Sequence, residues 1–216
     1  MIKNRRAFII GIKSTTLSEK EIFFLNKYKP WGVILFSRNL KKFKQIKKLT
    51  FDIRLVFKDK KYPILIDQEG GRVNRLNKLI EASMFTAEYF GNLYKKNKYK
   101  FINYYKVYIN QVSYLLNELG VNVNTVPVLD VRKIKSSNVI GNRAYSSIPK
   151  NVSIVGDFCI EEFKKCKIGT VIKHIPGHGL TKVDSHKKTP IVKFKYKYLF
   201  KNAFSAFKNK KSFFAM

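Results

Sequence analysis

The chain has 216 residues, 45% of them hydrophobic, which is enough for one well-packed core and excludes a disordered chain. It carries 44 lysine and arginine residues against 14 aspartate and glutamate residues, and the net charge of +30 suggests anionic partners such as nucleic acid or a membrane surface. The lysines are scattered through every segment, with no zinc-finger or RNA-binding motif beside them. A general lysine-rich bias therefore explains the charge better, and we expect no specific nucleic-acid partner.

The sequence also argues against export, membrane insertion and disulfide bonding. The apolar run 7–12 follows basic residues but is too short for a signal peptide, and no stretch approaches the length of a membrane span. Cys159 and Cys166 lie in a predicted helix, where we expect them to act as small hydrophobic residues. These features predict a soluble, cytoplasmic protein that does not contact membranes.

Short apolar runs alternate with amphipathic stretches along the whole chain. The runs predict strands at 7–12, 32–36, 63–66, 121–128, 169–172 and 212–216. Capping signals and helical spacing predict helices after Ser18, over 43–53, over 89–119, near 152–166 and near 198–207. Apolar strands that alternate with helices indicate an α/β fold with a parallel sheet. About six strand–helix units are visible in a single domain over residues 1–216, whereas a closed parallel barrel has eight.

All three histidines of the chain lie in one polar stretch, residues 173–186, directly after an apolar run. Lys173 and His174 are expected to leave the end of a buried strand, and the proline and glycines that follow exclude a helix. Asp184 and His186 are near enough for the carboxylate to hold one ring nitrogen, which leaves the other for proton transfer. Because α/β proteins keep their chemistry at strand ends, this stretch is a candidate active site.

Other interpretations of these histidines stay open. His174 alone is compatible with a hydrogen-bonded core histidine, and His178, between two glycines, with an unusual turn. A metal site built from His174, His178, Asp184 and His186 is a further alternative. It is less favoured because a proline and a glycine separate the first two ligands, which therefore do not share a helix face. We expect no metal and no other cofactor.

Two further strand ends carry clustered polar residues. The third predicted strand runs into a segment, residues 67–75, that holds two carboxylates, two glycines and two arginines in one turn. Such a cluster is costly unless it is paired or faces a polar ligand, although a capped surface loop is the simpler alternative. The fourth strand ends at Asp130, and a loop in which small residues flank Arg143 follows it.

Together these motifs resemble one family. The segment 67–75, then Gly141-Asn142-Arg143, and then Lys173-His174 through Asp184-Ser185-His186 are similar, in this order, to the bacterial β-N-acetylhexosaminidases of glycoside hydrolase family 3. The stretch 31–39 also resembles an early strand of that family, so the resemblance covers nearly the whole chain. It implies a TIM-type (β/α) barrel, of which about six of eight units are present.

The resemblance implies hydrolysis of terminal β-linked N-acetylglucosamine with retention of configuration, in the recycling of cell-wall fragments. The implied sugar-binding residues are Asp67, Arg75, Arg143, Lys173 and His174. His186 would be the acid/base and Asp184 its orienting partner, which suits the chemistry because a neighbouring carboxylate favours the imidazolium. The expected partners are saccharides that contain N-acetylglucosamine, or muropeptide fragments.

The sequence departs from the family pattern in one respect. The catalytic nucleophile of the family is an aspartate beyond the sixth strand, and Asp67, Asp130 and Asp157 do not match its motif. We therefore expect a barrel that is incomplete at its C-terminus, in which turnover requires a nucleophile from elsewhere. Two alternatives follow: a carbohydrate-binding remnant without catalysis and, with less support, a basic nucleic-acid-binding protein.

Overall fold

A computed structural model describes residues 4–133, 138–183 and 188–216 of the chain. The strands, in chain order, are β1 (Arg6–Gly11), β2 (Pro30–Leu35), β3 (Ile64–Ile66), β4 (Gln68–Gly70), β5 (Val73–Asn74), β6 (Val123–Asn124), β7 (Gly169–Ile172) and β8 (Phe214–Ala215). Six of them form one parallel sheet in the order β1-β2-β3-β6-β7-β8, and β4 pairs with β5 in a separate antiparallel hairpin. The strands predicted from the apolar runs and their parallel pairing are confirmed.

Helices connect the strands of the sheet and cover its outer face. They are α1 (Glu19–Tyr28), α2 (Phe43–Phe57), α3 (Ala87–Lys96), α4 (Lys98–Glu118), α5 (Pro149–Lys165) and α6 (Tyr196–Asn202). α1 begins at the predicted capping box, in which the Ser18 hydroxyl accepts from the Glu21 N–H and the Glu21 carboxylate accepts from the Ser18 N–H. Across the described ranges, no helix combines the length and the apolar character needed to cross a bilayer.

The two faces of the sheet pack into different apolar clusters, and the sheet curls. Ile64 of β3 belongs to the large core beneath the helices, whereas the next residue, Leu65, belongs to a smaller inner cluster with Val123. On the inner face the ring of Trp31 in β2 lies 4.4 Å from the ring of Phe214 in β8, centroid to centroid. Four strand spacings would separate these strands by about 19 Å in a flat sheet, so the sheet is strongly curved, as in a barrel.

Two of the predicted helices are each divided in the structure. The helix predicted over 89–119 is divided at Asn97 into α3 and α4, and the Asn97 side chain accepts from the Lys100 N–H to cap α4. The rings of Tyr94 and Phe101 contact each other across the break, so the apolar spacing continues through it and periodicity alone does not reveal it. Toward the C-terminus, α6 is followed by a 3-10 turn over 204–207, where the sequence predicts one helix over 198–207.

Candidate active site

The candidate site lies at the carboxyl edge of the parallel sheet. Asp67 follows β3 directly, Thr125 follows β6 and Lys173 follows β7. The parallel pairing of β3 with β6, and of β6 with β7, brings these three strand ends to the same edge. Groups that lie as far as 106 residues apart in the sequence are therefore in direct contact.

Lys173 lies at the centre of this edge. Its side chain is only 2% exposed, and its Nζ lies 2.6 Å from Glu69 Oε1, 2.9 Å from Thr125 Oγ1 and 3.2 Å from Asp67 Oδ1. The Thr125 hydroxyl also donates to Asp67. An ammonium group has three protons, and each of the three oxygens can accept one, so this buried charge is matched by the protein itself.

Two arginines hold the same carboxylates from another direction. Arg143, in a 3-10 turn over 141–143, forms a bidentate pair with Glu69 on β4, in which Nε–Oε2 and Nη2–Oε1 are both 2.8 Å. Arg75 follows β5, and its Nη2 lies 3.2 Å from Asp67 Oδ2. We call Asp67, Glu69, Arg75, Arg143 and Lys173 the charged cluster. It contains three cations and two carboxylates.

The electrostatics of the charged cluster keep both carboxylates ionised. Burial raises the pKa of Asp67, but the Lys173 ammonium and the hydrogen bonds from Thr125 and Arg75 outweigh burial and lower that pKa to about 2. The pKa of Glu69 is also lowered, because the charges of Lys173 and Arg143 overcome the opposing effect of burial. At neutral pH the site therefore presents fixed anionic acceptors beside fixed cationic donors.

His174 connects the charged cluster to a third carboxylate. Its Nε2 lies 3.3 Å from Arg143 Nη2, and its Nδ1 lies 2.6 Å from Oδ2 of Asp130, a residue that is completely buried. The other carboxylate oxygen of Asp130 accepts from the His178 N–H. The side chains of His174 and Arg75 are 30% and 31% exposed, so a ligand can reach both.

The open side of this edge suits a ligand with many hydroxyl groups. Carboxylates accept from hydroxyls, and guanidinium groups donate to hydroxyl and amide oxygens in a fixed planar geometry. The Arg75 guanidinium also lies 5.8 Å from the centroid of the Phe36 ring, which limits its freedom to move. A sugar offers the hydroxyl donors and acceptors that such an array can bind.

Comparison with known proteins decides the family. The profile of the family described as "Glycosyl hydrolase family 3 N terminal domain" matches residues 10–210. The chain belongs to glycoside hydrolase family 3. "Beta-hexosaminidase A" of Pseudoalteromonas piscicida is 34% identical over 187 residues, which cover 82% of this chain and 30% of that protein. "Beta-hexosaminidase" of Hydrogenovibrio crunogenus is 32% identical over 188 residues, which cover 85% and 50%.

Solved structures share this fold. NagZ from Neisseria gonorrhoeae in complex with N-trifluoroacetyl-D-glucosamine superimposes with a TM-score of 0.81 at 26% identity, over 94% of this chain and 59% of that one. A family 3 β-N-acetylglucosaminidase from Paenibacillus sp. str. FPU-7 gives 0.79 at 26% identity, over 93% and 37%. The predicted family and barrel fold are confirmed, and the chain spans 30% to 59% of the lengths of these four proteins.

The structure brings together five of the seven residues that the family resemblance implies for the site: Asp67, Arg75, Arg143, Lys173 and His174. The other two, Asp184 and His186, lie outside the described residues. Asp184 and His186 are also two of the four ligands of the alternative metal site. Within the part of the chain that the structure describes, no three His, Cys, Asp or Glu side chains are grouped as metal ligands.

Three residues of this family 3 site are not among the implied site residues. Glu69 lies within segment 67–75 and Asp130 is predicted only as the end of a strand, whereas both make direct contacts with predicted site residues. Both lie just after the end of a predicted strand run, as Asp67 and Lys173 do, which is a usable positional signal. Thr125 lies inside the predicted strand 121–128, and only the structure places it at the end of β6.

Proposed function

We propose that this family 3 chain binds a terminal β-linked N-acetylglucosamine at the carboxyl edge of its sheet and takes part in hydrolysis of the glycosidic bond. The charged cluster carries this proposal, because it fixes buried anionic and cationic groups beside exposed parts of Arg75 and His174. The relatives named above are hexosaminidases and glucosaminidases. Since the chain spans only part of their lengths, their activity and substrates enter here as proposals.

Each member of the site would have a definite task. Asp67, ionised and held by three partners, would accept hydrogen bonds from sugar hydroxyls. Arg75 and Arg143 would donate to the remaining sugar oxygens, and the His174 ring would contact the same sugar. Lys173 already gives its three protons to protein oxygens, so in this arrangement it fixes the two carboxylates and reaches the sugar only by exchanging one of these bonds.

The chemical step would depend on His186, with Asp184 as its orienting partner, as the sequence predicts. The imidazolium would protonate the leaving oxygen while a nucleophile attacks the anomeric carbon. In the described ranges, Asp67 and Glu69 are each held by two cations, and Asp130 is held by His174. All three are engaged in these contacts, which suit hydrogen-bond acceptors better than a nucleophile. This observation favours a second candidate function, saccharide binding without turnover, for the residues described.

Hydrolysis and binding should be measured on the same purified chain. Hydrolysis of 4-nitrophenyl N-acetyl-β-glucosaminide would be compared between the unaltered chain and His186→Ala, and binding of N-acetylglucosamine would be followed by ligand-observed NMR. Asp67→Asn should weaken binding at least tenfold, since hydrogen bonds to charged groups contribute about 1.5–3 kcal/mol. Asp52→Asn, in an exposed ion pair on α2, is the matched control.

The outcomes separate the two candidates. Hydrolysis that His186→Ala abolishes supports the hexosaminidase function. Binding that depends on Asp67, without hydrolysis, supports the second candidate. Absence of N-acetylglucosamine binding at millimolar sugar contradicts both. Muropeptide fragments as natural substrates, a cytoplasmic location and a single domain over residues 1–216 stay predictions.

A further inference from the structure

Asp130 occupies an unusual position behind the candidate site. It is completely buried, and its two carboxylate oxygens have different tasks: Oδ2 lies 2.6 Å from His174 Nδ1, and Oδ1 accepts from the His178 N–H. It therefore joins the end of β7 to the polar segment that follows. Its two partners are both needed, because a buried carboxylate is costly unless its oxygens are hydrogen-bonded.

The donors and acceptors around His174 determine which ring nitrogen carries the proton. A guanidinium can only donate, so Arg143 Nη2, 3.3 Å away, requires Nε2 to be an acceptor without a proton. An ionised carboxylate can only accept, so Asp130 requires a proton on Nδ1. Both neighbours select the same form, the Nδ1–H tautomer of the neutral ring.

The same carboxylate also anchors the base of segment 178–183. The Thr181 hydroxyl lies 2.9 Å from His178 Nδ1 and within hydrogen-bond distance of the carbonyls of His178 and Val183, to one of which its single proton is donated. These contacts close the segment on itself. Gly179 lies so close to Val131 that a Cβ atom there would overlap the Val131 carbonyl. The segment is therefore fastened to the residues at the end of the fourth apolar run, and Asp130 makes the charged contact in that attachment.

We propose that Asp130 is a positioning residue, which fixes the tautomer and orientation of His174 and holds segment 178–183 against the end of β7. The consequence for sugar binding rests on the proposed function, since it assumes that the exposed part of His174 meets the sugar. The tautomer itself does not depend on that assumption. An unprotonated Nε2 gives the site a neutral acceptor, whose single lone pair accepts from Arg143 or, in exchange, from a hydroxyl that approaches.

Asparagine cannot replace this aspartate. A carboxylate accepts at both oxygens, whereas the isosteric amide has one acceptor and one donor. In Asp130→Asn either His174 Nδ1 or the His178 N–H must face an NH2 group, so either the His174 tautomer reverses or the His178 contact is lost. If the amide donates to Nδ1, the proton moves to Nε2 and opposes the Arg143 donor.

The test is a nitrogen NMR measurement on chain labelled with 15N-histidine. The chain has only three imidazole rings, and His178→Asn and His186→Asn variants would assign them. At neutral pH we expect the His174 ring to show a protonated Nδ1 and an unprotonated Nε2. The Asp52→Asn control should leave this pattern unchanged. Asp130→Asn should invert or mix it or, if the amide oxygen keeps the Nδ1 proton, shift the His178 backbone N–H signal. Arg143→Met should retain the Nδ1 proton, because Asp130 remains.

Several results would overturn the proposal. A proton on Nε2 of His174 in the unaltered chain does so even if Asp130→Asn fails to fold, and so does a folded Asp130→Asn in which both the ring pattern and the His178 backbone N–H signal are unchanged. A sugar titration completes the design: N-acetylglucosamine should shift the His174 signals, with about tenfold weaker affinity in Asp130→Asn. If the sugar shifts nothing in the unaltered chain, the proposed function fails while the tautomer assignment stands. If the sugar binds but Nε2 of His174 carries the proton, the tautomer assignment fails while the proposed function stands.

Discussion

Two buried lysines of this family 3 chain, Lys173 and Lys210, differ in how their charges are met. Both side chains are only 2% exposed. Lys210 Nζ contacts the Ser153 carbonyl at 3.2 Å, the Ser153 hydroxyl at 2.6 Å and Asp157 at 2.8 Å, and the Asp157 side chain is half exposed. Lys173 contacts two carboxylates that are themselves largely buried.

The difference separates a structural lysine from a site lysine. Lys210 fastens the C-terminal segment to α5, and water shares the solvation of its partner. The carboxylates around Lys173 are in addition held by Arg75 and Arg143, so more charge is concentrated there than packing two strand ends requires. Clusters of this kind, with shifted pKa values in an accessible edge, are typical of functional sites.

The largest effect is expected from Lys173→Met. It removes the ammonium from two buried carboxylates, which leaves their charges only partly compensated by the arginines. We expect a loss of about 3 kcal/mol in the free energy of unfolding, measured by urea denaturation, and loss of N-acetylglucosamine binding. A loss below about 1 kcal/mol would show that the arginines alone suffice and would remove the contrast with Lys210.

Acid should lower the free energy of unfolding by less than Lys173→Met does, because it removes only the charge of Asp67 from the charged cluster. The pKa of Asp67 is about 2 in the folded chain, against an ordinary value of 3.8. A lowered folded pKa stabilises the fold above the unfolded pKa, so this contribution is present above about pH 4 and is lost as the pH falls toward 2. It amounts to about 2 kcal/mol. Urea denaturation between about pH 5 and pH 2.5 measures it, and Asp67→Asn should show a correspondingly flatter pH dependence.

Lys210→Met should cost about 1 kcal/mol, because it removes hydrogen bonds but keeps the aliphatic part of the side chain and leaves Asp157 accessible to water. Urea denaturation is again the measurement, and sugar binding should be unchanged. A loss as large as that of Lys173→Met would mean that burial of the ammonium, and not the number of buried carboxylates, sets the cost.

The smallest effect is expected in a surface ion pair whose lysine is largely exposed. Lys48 Nζ lies 3.0 Å from Asp52 in an i, i+4 pair on α2, and the lysine side chain is 72% exposed. Asp52→Asn should change the free energy of unfolding by less than about 0.5 kcal/mol, because water screens such pairs. A high-salt measurement should reduce even this effect. A larger value would question the use of this variant as a control.

The sequence predicts the sheet well because most of its strands lie in short apolar runs and each connection within the sheet contains a helix. The same reasoning does not find the division at Asn97, since the apolar spacing on the two helices continues across it. The sequence motifs predict five residues of the site, namely Asp67, Arg75, Arg143, Lys173 and His174. Their convergence follows from the parallel sheet. No motif could link Asp130 to His174, because their contact depends on strand pairing between segments 44 residues apart.

The strand order has a consequence for synthesis of the chain. Each strand of the sheet pairs with the sheet strand that precedes it in sequence, so the sheet can grow outward as a ribosome releases the polypeptide. The carboxylate of Asp67 leaves the ribosome 106 residues before the lysine that neutralises it. Until β7 pairs with β6, this carboxylate has no contact with Lys173 and can remain hydrated. Pairing of β7 then brings Lys173 to Asp67, and β8 adds to the sheet after it.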